Sequence, residues 1–223
     1  MKQILMCCAV AALVTVGASA ATVSCVSSPI TLTLGGSSPT FSCNGLTFSN
    51  FSVINFTGQN QGSLSINNVT FDTVTGRVNM NENPGLGSAG HVNLFYTVSG
   101  PLSSIDLSVG GTLATVTERA CANPIAQTGP LAGLCTDASG TVSAAALGQI
   151  TLHSVDPNQP VVSNFGTVST AYVFKDILTA TGGGLSDMNE SFGGSPVPEP
   201  FSMLLVGSAL AGLGLIRRSR TQV

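Results

Sequence analysis

The chain has 223 residues, no Trp, and only 8% charged residues against 43% hydrophobic ones. That length suffices for one domain with a sizeable core, or for two small ones. Between Ala21 and Pro198 three basic residues (Arg77, Arg119, Lys175) face nine acidic ones, a net charge of −6. This leaves no basic stripe with which to neutralise phosphates and excludes nucleic acid as a partner.

At the N-terminus, residues 1–20 have the layout of a secretory signal peptide. Lys2 gives a positive start, Ile4–Val16 is uncharged and mostly apolar, and Ala18-Ser19-Ala20 offers small residues to signal peptidase. Cys25 follows Thr22-Val23-Ser24, a poor lipobox, so cleavage after Ala20 is the expectation.

Residues 21–181 alternate between apolar and polar side chains. Ile30, Leu32 and Leu34 form one set, Val92, Leu94, Tyr96 and Val98 another, and Ile105, Leu107 and Val109 a third. Shorter sets are Leu46 and Phe48, Leu64 and Ile66, Val69 and Phe71, Val78 and Met80, Ile150 and Leu152, and Tyr172 and Phe174. A period of two places one face on a core and the other in water. Gly35-Gly36-Ser37-Ser38-Pro39, Asn55–Gly62, Glu82–Gly90 and Gly110-Gly111 carry turn chemistry between the sets. Only Val142–Leu147 suggests a short helix. The expected fold is all-β, an antiparallel β-sandwich of jelly-roll or immunoglobulin-like type, flanked by an N-terminal signal helix and a C-terminal transmembrane helix.

Four cysteines remain after signal removal: Cys25, Cys43, Cys121 and Cys135. They allow three connectivities, of which proximity favours Cys25–Cys43 and Cys121–Cys135. With no Cys-x-x-Cys, structural disulfides outweigh a metal site, and no metal or cofactor is assigned. From 182 to 196 the pattern gives way to Gly, Ser and Pro, which reads as a flexible linker.

The C-terminal 197–220 is a second address. Val197-Pro198-Glu199-Pro200 precedes the 16 uncharged residues Phe201–Ile216, then Arg217, Arg218 and Arg220. As a helix, 201–216 is about 24 Å long. It spans a bilayer core of about 30 Å only if the arginines snorkel. The basic cluster places the C-terminus in the cytoplasm and the rest outside.

Pro-Glu-Pro, a short Leu/Gly/Ala-rich helix and a terminal arginine cluster together resemble the PEP-CTERM sorting signal of Gram-negative bacteria. The resemblance covers about a tenth of the chain and implies nothing about the fold of the remainder. It implies an exosortase, a membrane cysteine protease, as the processing partner near Pro198, Glu199 and Pro200. It further implies transient residence in the inner membrane, an extracellular or cell-surface destination, and exopolysaccharide as a candidate partner.

Catalytic signals are sparse in the exported part. His91 opens an expected strand and His153 closes one, but no Gly-x-Ser-x-Gly elbow accompanies them. Asp106 and Glu118 form a conceivable carboxylate pair for glycoside hydrolysis, although Glu118-Arg119 reads more simply as a local charge pair. Asn79–Asn83, Asp137–Gly140 and Asp156-Pro157-Asn158 are oxygen-rich, and turn formation explains them better than calcium. Tyr96 and Tyr172 lie in alternating segments where core packing is the default. A non-enzymatic structural protein of the surface or matrix is therefore expected. A polysaccharide- or calcium-binding module is the alternative, and a secreted hydrolase the third reading.

Overall fold

The computed structural model describes residues 22–36, 38–57, 63–129, 131–137, 139–142 and 146–194. The signal segment, the Pro-Glu-Pro motif and the expected membrane helix lie outside these residues, with Ala18, Ala20, Pro198, Glu199, Pro200, Arg217, Arg218 and Arg220. Among the described residues no helix is long and apolar enough to cross a membrane.

Nine strands form the described fold. They are β1 (Thr22–Ser24), β2 (Ile30–Thr33), β3 (Phe41–Cys43), β4 (Leu46–Thr57), β5 (Ser63–Asp72), β6 (Arg77–Asn83), β7 (His91–Cys121), β8 (Gly148–His153) and β9 (Val161–Gly194). All pair antiparallel in one curled sheet of order β1-β5-β6-β9-β7-β4-β3, with β2 added on β5 and β8 on β7. The all-β antiparallel expectation holds.

The strand sets expected to be separate are in several cases stretches of one long bent strand. β7 pairs through 91–99 with 170–178 of β9, through 102–112 with 184–194, and through 114–121 with 172–179. Its middle stretch also pairs with 161–168. The register therefore divides the sheet into two limbs. One holds β3, β4, β8 and the stretches 91–99, 114–121 and 170–179. The other holds β1, β2, β5, β6 and the stretches 102–112, 161–168 and 184–194. At the first bend, Gly100 has φ +130°, and a Cβ there would lie 2.4 Å from the Gly45 carbonyl oxygen. Only glycine meets both demands without strain.

The limbs face each other across a shared core. Phe48 of β4 meets Phe192 of β9 edge to face at 5.0 Å, and Tyr96 meets the same ring at 6.3 Å. Leu64, Ile66, Leu94, Ile105, Leu107 and Ile177 complete its centre, all below 2% exposed. Burying each such side chain contributes about 1.5–3 kcal/mol. The two disulfides are Cys25–Cys43 and Cys121–Cys135, the pairs that proximity favours. The first has structural weight beyond its own loop. β1 and β3 stand at opposite ends of the sheet order, so the bond beside β1 ties its two ends together.

Three expectations need correction. Residues 182–194 are not linker but the last stretch of β9, paired with β6 and β7. Leu185, Met188 and Phe192 are buried there, and apolar surface of that kind holds a strand in the core. The glycines at 182–184 mark a bend and not the end of the domain. Asn79–Asn83 lies inside β6 and is not a loop. The inward face of β9 before the bend is Ala171, Val173, Lys175 and Ile177, so Tyr172 and Phe174 point outward.

Candidate functional site: a buried lysine among three glutamates

Strand alternation alone delivers charged side chains to the core. On β6 the inward positions run Val78, Met80, Glu82. On β7 they run Leu94, Tyr96, Val98 in one stretch and Val116, Glu118, Ala120 in another. On β9 they run Val173, Lys175, Ile177 and then Met188, Glu190, Phe192. The apolar neighbours hold each register, and a slip of one residue would expose the whole set. Glu82, Glu118, Lys175 and Glu190 thereby converge where water does not reach.

Lys175 Nζ lies 2.5 Å from Glu82 Oε2 and 2.6 Å from Glu190 Oε2. The Tyr96 hydroxyl donates to both oxygens of Glu190 at 2.9 Å, and Lys175 Nζ stands 5.9 Å from the centre of the Tyr96 ring. Three buried carboxylates around one ammonium would leave two negative charges uncompensated. Charges in such a place cost several kcal/mol each unless they are neutralised.

Protons answer that cost. Burial, opposed by Lys175 and reinforced by Glu82, pushes the Glu118 carboxyl up to about 7. Burial together with Glu82 and Glu118 holds Glu190 well above the ordinary carboxyl range, again against the pull of Lys175. The Tyr96 phenol is raised by burial and by the carboxylates of Glu190, Glu118 and Glu82. For Lys175 burial acts to lower the pKa, but Glu190, Glu82 and Glu118 outweigh it and hold the ammonium protonated beyond its usual range. Neither oxygen of Glu118, nor Oε1 of Glu82, receives a hydrogen bond from a fixed donor.

The residues singled out in the sequence are distributed elsewhere. Asp106 and Glu118 do not form a working pair: Asp106 pairs with Arg77 at 3.0 Å and accepts the Ser191 hydroxyl at 2.5 Å, on the opposite side of its strand from the core. Glu118 faces Lys175, while its neighbour Arg119 turns outward to Gln149 and the Gly133 carbonyl. His91 Nε2 lies 2.8 Å from both Asp176 and Asn93, and His153 Nδ1 lies 2.9 Å from the Thr115 hydroxyl. Asp137 Oδ1 accepts from the amides of Ser139 and Thr141 and from the Ser139 hydroxyl, which is turn formation. Asp156 accepts from the His153 amide in the same manner. Among the described residues no three His, Cys, Asp or Glu side chains are grouped to hold a metal ion.

On the outer face, Phe95 and Phe174 pack at 4.8 Å beneath the loop closed by Cys121–Cys135. Gly133 presses onto the Phe174 ring. A cavity of about 180 Å³ lies beside this loop, lined by Asn50, Pro124, Ile125, Gln127 and Tyr172 among others.

The signal for the buried cluster was present in the sequence. Each of its members continues an apolar period-two set, and Lys175 is the only lysine between Ala21 and Pro198. No family model matches the chain, and no curated protein matches it.

Proposed function

We propose that the chain is an exported structural protein of the bacterial surface or extracellular matrix, delivered through a PEP-CTERM-type tail and processed by an exosortase. The observation that carries this reading is the pairing of all four cysteines that remain after Ala20 into two disulfides. Such bonds persist in oxidising compartments. The described strands run from Thr22 to Gly194, between the expected signal cleavage site and the Pro-Glu-Pro motif, which agrees with a domain bracketed by two sorting signals. The two facing limbs support a finer reading of the fold as a β-sandwich of jelly-roll or immunoglobulin-like type. The stapled sheet ends and the sealed core suit a load-bearing or spacing role better than catalysis.

The test is fractionation of the native host with and without its exosortase. The protein is expected at the surface or in the matrix of the parent, with its cysteines oxidised, and retained in the inner membrane of the deletion strain. The same distribution in both strains would overturn the sorting route.

A further inference from the structure

We propose that Lys175 and Glu190 become joined by an intramolecular amide bond, formed by the buried cluster acting on itself. The reactants are in contact, since Nζ already touches the Glu190 carboxyl at 2.6 Å, in a core from which water is excluded. Each remaining member has a part in the condensation. Glu82, 2.5 Å from Nζ on its other side, is the base. Tyr96, whose hydroxyl reaches both Glu190 oxygens, is the donor that steadies charge on the carboxyl as it is attacked. Glu118, fully buried and in register with Lys175, completes the cluster.

The step balances without an oxidant, nucleotide or metal. Glu82 takes one proton from the Lys175 ammonium. The freed amine lone pair attacks Cδ of Glu190, which burial and its neighbours keep as the carboxylic acid. The C–N bond forms, and the carbonyl electron pair moves onto the oxygen that Tyr96 holds. Glu82 then gives its proton to the acid's hydroxyl, which departs as water as the carbonyl reforms. It recovers a proton from the nitrogen. The products are an amide, one water and a protonated Glu82.

Two features favour the forward direction. Fixed contact replaces a diffusive encounter between amine and acid. The reaction also removes the charge of Lys175 and neutralises Glu82, so a costly buried ion pair becomes a neutral amide and an acid.

The experiment is mass spectrometry on the full chain as its host exports it. Lys175 is the only lysine between Ala21 and Pro198, so after reduction and unfolding trypsin should leave the 175–176 bond uncut. The peptide spanning it is expected lighter than its sequence by one water, about 18 Da. Fragmentation should place the link between Lys175 and Glu190, and Lys175→Arg and Glu82→Gln should each restore the full mass. The wild-type measurement needs no variant to fold. Complete tryptic cleavage after Lys175 with no loss of water, or a link from Lys175 to a different carboxyl, overturns the proposal.

Discussion

Lys175 and Glu190 belong to the same strand, yet Nζ of one lies 2.6 Å from Oε2 of the other. The bend around 182–184 makes this possible by carrying β9 from one limb of the sheet into the facing limb. The two limbs are thus held together at their centre by one strand reaching itself across the core. Glu82 of β6 adds a second contact to the same nitrogen.

Removing the cation should be costly. Lys175→Met leaves the Glu82 and Glu190 carboxyls buried without the nitrogen that both contact. The expected loss is about 3–5 kcal/mol in chemical denaturation with both disulfides intact. A loss below about 1 kcal/mol, the scale of an exposed ion pair, would mean that the cluster is open to water.

Stability should fall as pH rises through the weakly acidic range. The Glu118 carboxyl titrates near 4.5 when unfolded and at about 7 when folded. The folded state therefore binds more protons between these values, and the associated stability is complete below about 4.5 and lost by about 7. A shift of this size corresponds to about 3 kcal/mol. Burial is its largest cause and persists whether or not Lys175 is charged. Glu190, if unlinked, acts in the same direction. Urea denaturation at pH 4.5 and pH 8 should show the decline, and Glu118→Gln should reduce it by stabilising the protein at the higher pH.

The Cys121–Cys135 bond closes a loop with a sequence separation of 14 and covers Phe95 and Phe174. Replacing both cysteines with serine should destabilise by about 3 kcal/mol. Far-ultraviolet circular dichroism should retain its strand signature, because the loop lies outside the central core.

Gly133→Ala should also destabilise. A Cβ at this position would sit 2.3 Å from the Phe174 ring, and the backbone has φ +77°. The expected loss is about 1–3 kcal/mol, as for an overpacked site. In a Phe174→Leu background the same change should cost less, and a double-mutant cycle measures the difference.

Much of the fold was legible because period-two alternation is unambiguous where polar partners are Ser, Thr and Asn. Val92–Val98 and Ile105–Val109 read as strands and are strands. What alternation could not show is that they continue into one another, since Gly100 reads as a turn residue and its close approach to the distant Gly45 carbonyl is not visible in short-range pattern. The last stretch of β9 was obscured for a related reason. Gly182, Gly183 and Gly184 look like the start of a tether, whereas Leu185, Met188 and Phe192 show their apolar spacing only once the bend is passed. The buried cluster was hidden by residue type. Glu82, Glu118, Lys175 and Glu190 sit at inward positions of otherwise apolar sets, but a charged residue is ordinarily assigned to water. Tyr172 and Phe174 erred in the opposite sense: their apolar face is covered by the disulfide loop, whose placement short-range pattern does not reveal.

The most direct measurement for the account as a whole is the terminal mass of the mature protein, isolated from the native host with and without its exosortase. Cleavage after Ala20 in both strains, with loss of the residues beyond about Pro198 only where the exosortase is present, is the predicted result. An intact C-terminus in both strains would contradict the sorting route and reduce the tail to a plain membrane anchor.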